Sequence, residues 1–225
     1  MAVTLVYSPL WFHGIDIILE VFSILAAVLI TIVGYKAFKL TRESKYFYFS
    51  LAFLLITLSF IARAITTGVV LGQVSGVAIG TDITQAKDTI EDIFSMGRFV
   101  YFLFVLFAYV ILLALSMRIT NKRLVFLLSI FMILFAASAF GVSALVFYLV
   151  SLALLSFIAW QYRDNYLARR SSATLLTFIA FALMVLEFIA FIAADWYRPL
   201  VVGAYLFRLV AYVILLSMIV RVYTK

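Results

Sequence analysis

Seven long runs of apolar residues leave this chain few ways to fold. They fall at roughly 10–36, 46–69, 93–117, 124–140, 143–162, 173–195 and 200–221. Each is near the 17–25 residues that carry a helix across a bilayer. Backbone polar groups in hydrocarbon must bond within their own segment, so the runs are expected to be helices. The expected fold is all-α: a single domain over residues 1–225, built as a seven-transmembrane-helix bundle in the cell membrane. The fourth run is the shortest. Only Phe140-Gly141-Val142 separates it from the fifth, so the two are expected to form a tight antiparallel pair. The first run is long and lacks a small-residue cleavage site, so no cleavable signal is expected.

Charge supports this reading. Charged residues make up 12% of the chain, about half the share in a soluble domain. Net charge is +7, but the cations sit between apolar runs, not in a nucleic-acid patch. Lys36, Lys39, Arg42, Lys45, Arg118, Lys122, Arg123, Arg163, Arg169, Arg170, Arg221 and Lys225 all fall on one side of the expected membrane. Lys87 and Arg198 fall on the other. Cytoplasmic loops are the ones enriched in Lys and Arg, so the N-terminus is expected outside and the C-terminus in the cytoplasm. Trp11, Trp160 and Trp196 stand near run ends, where headgroup-level aromatic belts form.

The longest connection is 70–92. Gly68, Gly72, Gly76 and Gly80 recur every four residues, which fits a close-packed helix face. A β-hairpin fits too, with Val69-Val-Leu-Gly-Gln-Val74 and Val77-Ala-Ile-Gly-Thr81 as strands around Ser75-Gly76. A helix running from 46 to 80 would be about 50 Å long, more than a bilayer needs. That length favours the hairpin.

Six ionisable side chains lie within the runs: Asp16, Glu20, Arg63, Arg98, Glu187 and Arg208. Each is expensive in hydrocarbon and persists with partners or a wet cavity. Arg208 is near the middle of the last run, with Tyr205 and Tyr212 on its helical face. Asp16 and Glu20 share a face of the first. With the expected orientation all six gather between the midplane and the outer surface. Two readings stand side by side: inter-helix ion pairs, or an outward-facing polar pocket for a small polar or anionic ligand or for protons. The candidate network is Asp16, Glu20, Arg63, Arg98, Tyr101, Glu187, Tyr205, Arg208 and Tyr212. His13 offers a pH-sensing or an interfacial group. Tyr109 and Tyr148 read as core. Ser129, Ser138, Ser143 and Ser151 read as close-packing residues of helices four and five.

The chain has no cysteine and one histidine, which excludes thiolate metal sites, cysteine nucleophiles and multi-histidine centres. No nucleophile elbow or phosphate-binding loop is present. No enzyme activity, cofactor or metal is expected. Expected partners are the bilayer, the small ligand and a membrane partner or second copy, not nucleic acid. A receptor-like sensor signalling through partners at the basic loops comes first. A transporter or ion pathway, or a structural subunit of a membrane complex, is the alternative. The expected inner half of the bundle is poor in polar groups, which weighs against transport.

Two stretches resemble a family. Arg98-Phe-Val-Tyr-Phe-Leu-Phe104 is similar to the third-helix motif Arg-Tyr-Ala-Asp-Trp-Leu-Phe of microbial rhodopsins, and Ala114-Leu115 continues its leucine run. Arg208-Leu-Val-Ala-Tyr-Val-Ile-Leu-Leu216 resembles the stretch that opens with the family's retinal-binding lysine. The resemblance implies a seven-helix fold with the N-terminus outside, and places Arg98 at the family's outer-side gating arginine. The departures are chemical. Arg208 stands at the lysine position, and arginine stays protonated and forms no Schiff base. Tyr101 stands at the counterion position, and Ala204 where a second acid is expected. The resemblance therefore implies a rhodopsin-like, retinal-free protein with a repurposed interior.

Overall fold

The computed structural model describes residues 15–77, 83–117, 119, 121–141, 144–194 and 196–223. Seven helices follow one another: α1 (Ile15–Thr41), α2 (Ser44–Val77), α3 (Ile83–Ser116), α4 (Lys122–Gly141), α5 (Ala144–Arg169), α6 (Ser172–Ala193) and α7 (Leu200–Tyr223). Six of them (all but α4) contain stretches long and apolar enough to cross a membrane. The described apolar part of α4 is shorter, at 123–137. The fold is an all-α bundle of the multi-pass membrane type.

The hairpin expectation is overturned. Residues 69–77 continue α2 as helix, and the described residues contain no strand. The rest of the second expected strand, 78–81, lies outside the described residues. The length argument failed because it treated the bilayer as a limit on the helix. At 34 residues each, α2 and α3 run about 50 Å, against membrane-length segments of 44–69 and 92–116. α2 and α3 lie against each other. Pro9, Trp11 and His13 also lie outside the described residues, as do the side chains of Asp16, Lys87, Ser138 and Ser143.

Neighbouring helices close a ring in the order α1, α2, α3, α5, α6, α7 and back to α1, while α4 leans on α3 and α5 from outside. Small residues let the helices approach: Ala27, Ala52, Ala108, Ala180, Ala204 and Ala211 are fully buried. At Gly97 the approach is tight, because a Cβ there would fall on the Thr66 side chain of α2. Rings fill the interior. Phe102 stacks on Phe147 with centroids 3.9 Å apart, and Phe53 and Phe60 meet Tyr212. The outside is apolar as well. Phe22, Leu25, Phe126, Leu134 and Phe157 are among many exposed large hydrophobic residues, a surface suited to lipid rather than water. Trp160 and Trp196 are exposed.

Two connections are built alike. α1 passes to α2 through Arg42-Glu43, and α5 to α6 through Arg170-Ser171. Arg42 and Arg170 take positive φ, 56° and 46°, and their amides bond back to Phe38 and Tyr166 carbonyls at 2.8 and 2.7 Å. These are left-handed helix caps of the kind glycine usually makes. With arginine the strain is roughly 1 kcal/mol. What arginine adds is positive charge at two helix C-termini.

Candidate functional site

Four of the six charged residues named from sequence, Glu20, Arg63, Glu187 and Arg208, converge inside the ring, toward one end of it. Glu187 on α6 and Arg208 on α7 form a direct pair. The Arg208 Nε donates to Glu187 Oε1 at 2.6 Å, and Nη2 lies 2.5 Å from the same oxygen. Their side chains are 3% and 2% exposed, so no water screens the attraction and neither charge can leave its partner cheaply. Three rings enclose the guanidinium: Phe60 at 5.0 Å, Tyr205 at 5.3 Å and Phe191 at 5.5 Å from its carbon. Such contacts add about 2 kcal/mol when desolvated. The remaining nitrogen, Nη1, is buried and has no hydrogen-bond partner among the described residues.

A second pair sits beside the first. Arg63 on α2 places Nε 3.4 Å from Glu20 on α1 and donates from Nη2 to the Tyr205 hydroxyl at 2.8 Å. Its guanidinium lies over Tyr101 of α3 at 5.4 Å. Tyr205 thus joins the pairs, bonding Arg63 through its hydroxyl and covering Arg208 with its ring. Phe60 joins them again, stacked on Tyr101 and lying under Arg208. The network draws on α1, α2, α3, α6 and α7.

Of the residues named from sequence, Glu20, Arg63, Tyr101, Glu187, Tyr205 and Arg208 are brought together. Tyr212 is buried one turn further along α7, against Phe53 and Phe60. Arg98 lies half-buried on α3 with its guanidinium over Phe94 at 5.6 Å. Asp16 falls outside the described side chains. Phe60 and Phe191 were missed. Each stands at helical spacing from a charge already singled out, Phe60 three before Arg63 and Phe191 four after Glu187, which was the available signal.

The opposite end of the bundle holds a feature the sequence did not suggest: a cleft of about 790 Å³ bordered by residues of all seven helices. Phe49, Ile111, Leu115, Tyr162, Met218 and Ile219 supply apolar wall. Ser44, Lys45, Ser116, Asn165, Arg169, Thr174 and Thr177 supply polar groups. The half expected to be poor in polar side chains is therefore open and partly polar. From Met218 to Arg208 is ten residues of α7, about 15 Å. Buried Phe53, Leu112, Phe181, Tyr212 and Leu215 occupy the intervening levels. Among the described residues no cluster of acids and histidines could hold a metal ion. Compared with known proteins, the chain matches no family model, no curated protein and no solved structure.

Proposed function

We propose that the chain is a non-enzymatic, receptor-like protein of the cell membrane, with all seven helices spanning, the N-terminus outside and the C-terminus in the cytoplasm. The side assignment rests on the Lys and Arg asymmetry between connections. Its site is the ion-pair network, reached from outside by a small anion or a proton. One observation carries the reading: Arg208 Nη1 is buried with no hydrogen-bond partner among the described residues. A buried guanidinium left one donor short is a recognition point for an anionic group. A ligand taking that donor would compete with Glu187 for the arginine and re-weight the contacts of Tyr205, which touches both pairs. On the resemblance to microbial rhodopsins, Arg208 stands where the retinal-bearing lysine would. The rings packed around it support a retinal-free reading.

The test is the melting temperature of the purified chain in chloride, nitrate, acetate or bicarbonate at constant ionic strength. A site-binding anion at 100 times its Kd raises stability by about 2.7 kcal/mol. Arg208→Ala should remain membrane-inserted and lose the effect. If none of these anions, and no change of pH, shifts the wild-type melting curve, the receptor reading fails.

The second reading, a carrier or ion pathway, is favoured by one observation. A cleft at one end faces a charged network at the other across an apolar layer, the arrangement that alternating access needs. Flux in proteoliposomes that disappears in Glu187→Gln would select it over the first.

A further inference from the structure

The cleft has no part in the receptor reading, yet its walls are chemically specific. Its rim carries two exposed cations, Lys45 at the start of α2 and Arg169 at the end of α5. Lys45 is paired with Glu43. Arg169 has no ion pair among the described residues. Among the described residues no carboxylate lines the space. The same lining includes the neutral donors Asn165, Ser44 and Thr174. Deeper residues are of another kind: Phe49, Ile111, Tyr162, Met218 and Ile219. The volume is within the roughly 300–1,000 Å³ of small-molecule sites. An all-apolar guest would leave the rim cation without a partner, and a fully polar one would strand its groups against the deep wall. The lining selects a molecule with both parts.

We propose that this cleft binds an amphiphilic anion, a single apolar chain ending in a carboxylate or phosphate. The chain lies against Phe49, Ile111, Met218 and Ile219. The head meets Arg169 and the amide of Asn165 at the rim. Arg169 suits that head because its planar fork grips a carboxylate or phosphate through two bonds. Two sources could present this chemistry: a free amphiphile from the aqueous side, or an anionic lipid of the adjacent leaflet, where polybasic edges gather such headgroups.

The experiment uses the full chain in nanodiscs of neutral phosphatidylcholine, titrated with dodecanoate, dodecyl phosphate and uncharged dodecanol, with melting temperature as readout. Dodecanoate and dodecyl phosphate should stabilise saturably, and dodecanol should not. Arg169→Gln should weaken both anions about tenfold, the loss of one charge-assisted contact. Ala114→Phe, which fills the cleft from α3, should abolish binding. The network half should be untouched, so the Ala114→Phe variant should keep whatever response to small anions the wild type shows. Repeating the titration with phosphatidylglycerol in the disc separates the sources. Loss of the dodecanoate response assigns the site to a leaflet lipid, and an unchanged response assigns it to a free amphiphile. Dodecanol acting as strongly as dodecanoate, or Ala114→Phe binding both anions as well as wild type, overturns the proposal.

Discussion

The two ends of the bundle solve the same problem in opposite ways. Seven helices around a common axis leave space that something must occupy. At the network end, large rings and two ion pairs fill it, and polar side chains pair, Glu187 with Arg208 and Arg63 with Glu20 and Tyr205, leaving Arg208 Nη1 without a partner among the described residues. At the other end, the helices finish in short polar turns and the space stays open. The contrast follows from residue type. Phe60, Tyr101, Phe147, Phe188 and Tyr212 project into the first region. Ala37, Ala114, Ser116, Thr174 and Thr177 border the second. Charge placement follows the same division. Buried ions demand direct partners because their desolvation is large, whereas a rim cation such as Arg169 is exposed to solvent while the cleft is empty.

Four substitutions sharpen or break this contrast. Glu187→Leu should have the largest effect, because it leaves Arg208 buried without its counter-charge. A loss of about 3–5 kcal/mol is expected in reversible unfolding from detergent. Adding Arg208→Met should recover most of it. A single variant as stable as wild type would mean that the pair is not sealed from water. Next comes Gly97→Val, whose side chain must displace Thr66 and part α2 from α3. A loss of about 2 kcal/mol is expected from overpacking, partly relieved by Thr66→Gly. Tyr205→Phe keeps the ring over Arg208 and deletes the hydroxyl that Arg63 bonds, so about 1 kcal/mol should be lost. At the hollow end the sign reverses. Arg42→Gly relieves a left-handed arginine that itself makes no ion pair among the described residues, and should gain about 0.5 kcal/mol by thermal melting. A loss there would show that the Arg42 charge outweighs the strain.

Much of this was legible in the residues. The apolar runs located all seven helices, because a span's length and hydropathy are local properties. Arg208, Glu187, Arg63 and Glu20 stood out as charges within those runs, and helical spacing put Tyr205 and Tyr212 on the Arg208 face. Pairing was not legible. That Arg208 takes Glu187 and Arg63 takes Glu20 depends on which helices are neighbours, and one sequence does not order helices around a ring. The extension of α2 through residues 69–77 was misread because β-branched residues and glycines fit strand and helix alike there. The structure resolves the segment as helix. The cleft was invisible for a further reason. It is a property of what is missing between helix ends, and small residues such as Ala114 and Ser116 signal close packing as readily as open space.

The interior is filled around Glu187 and Arg208 at one end and open at the other. The native sequence contains no cysteine, so single thiols report accessibility against a silent background. Ser59 and Ser116 are both buried by surface area, 0% and 7% exposed, but only Ser116 borders the cleft. In detergent-solubilised protein, a small charged methanethiosulfonate should modify Ser116→Cys at least about ten times faster than Ser59→Cys, since reaction requires access to the thiolate. Equal rates, or faster modification of Ser59→Cys, would contradict the account.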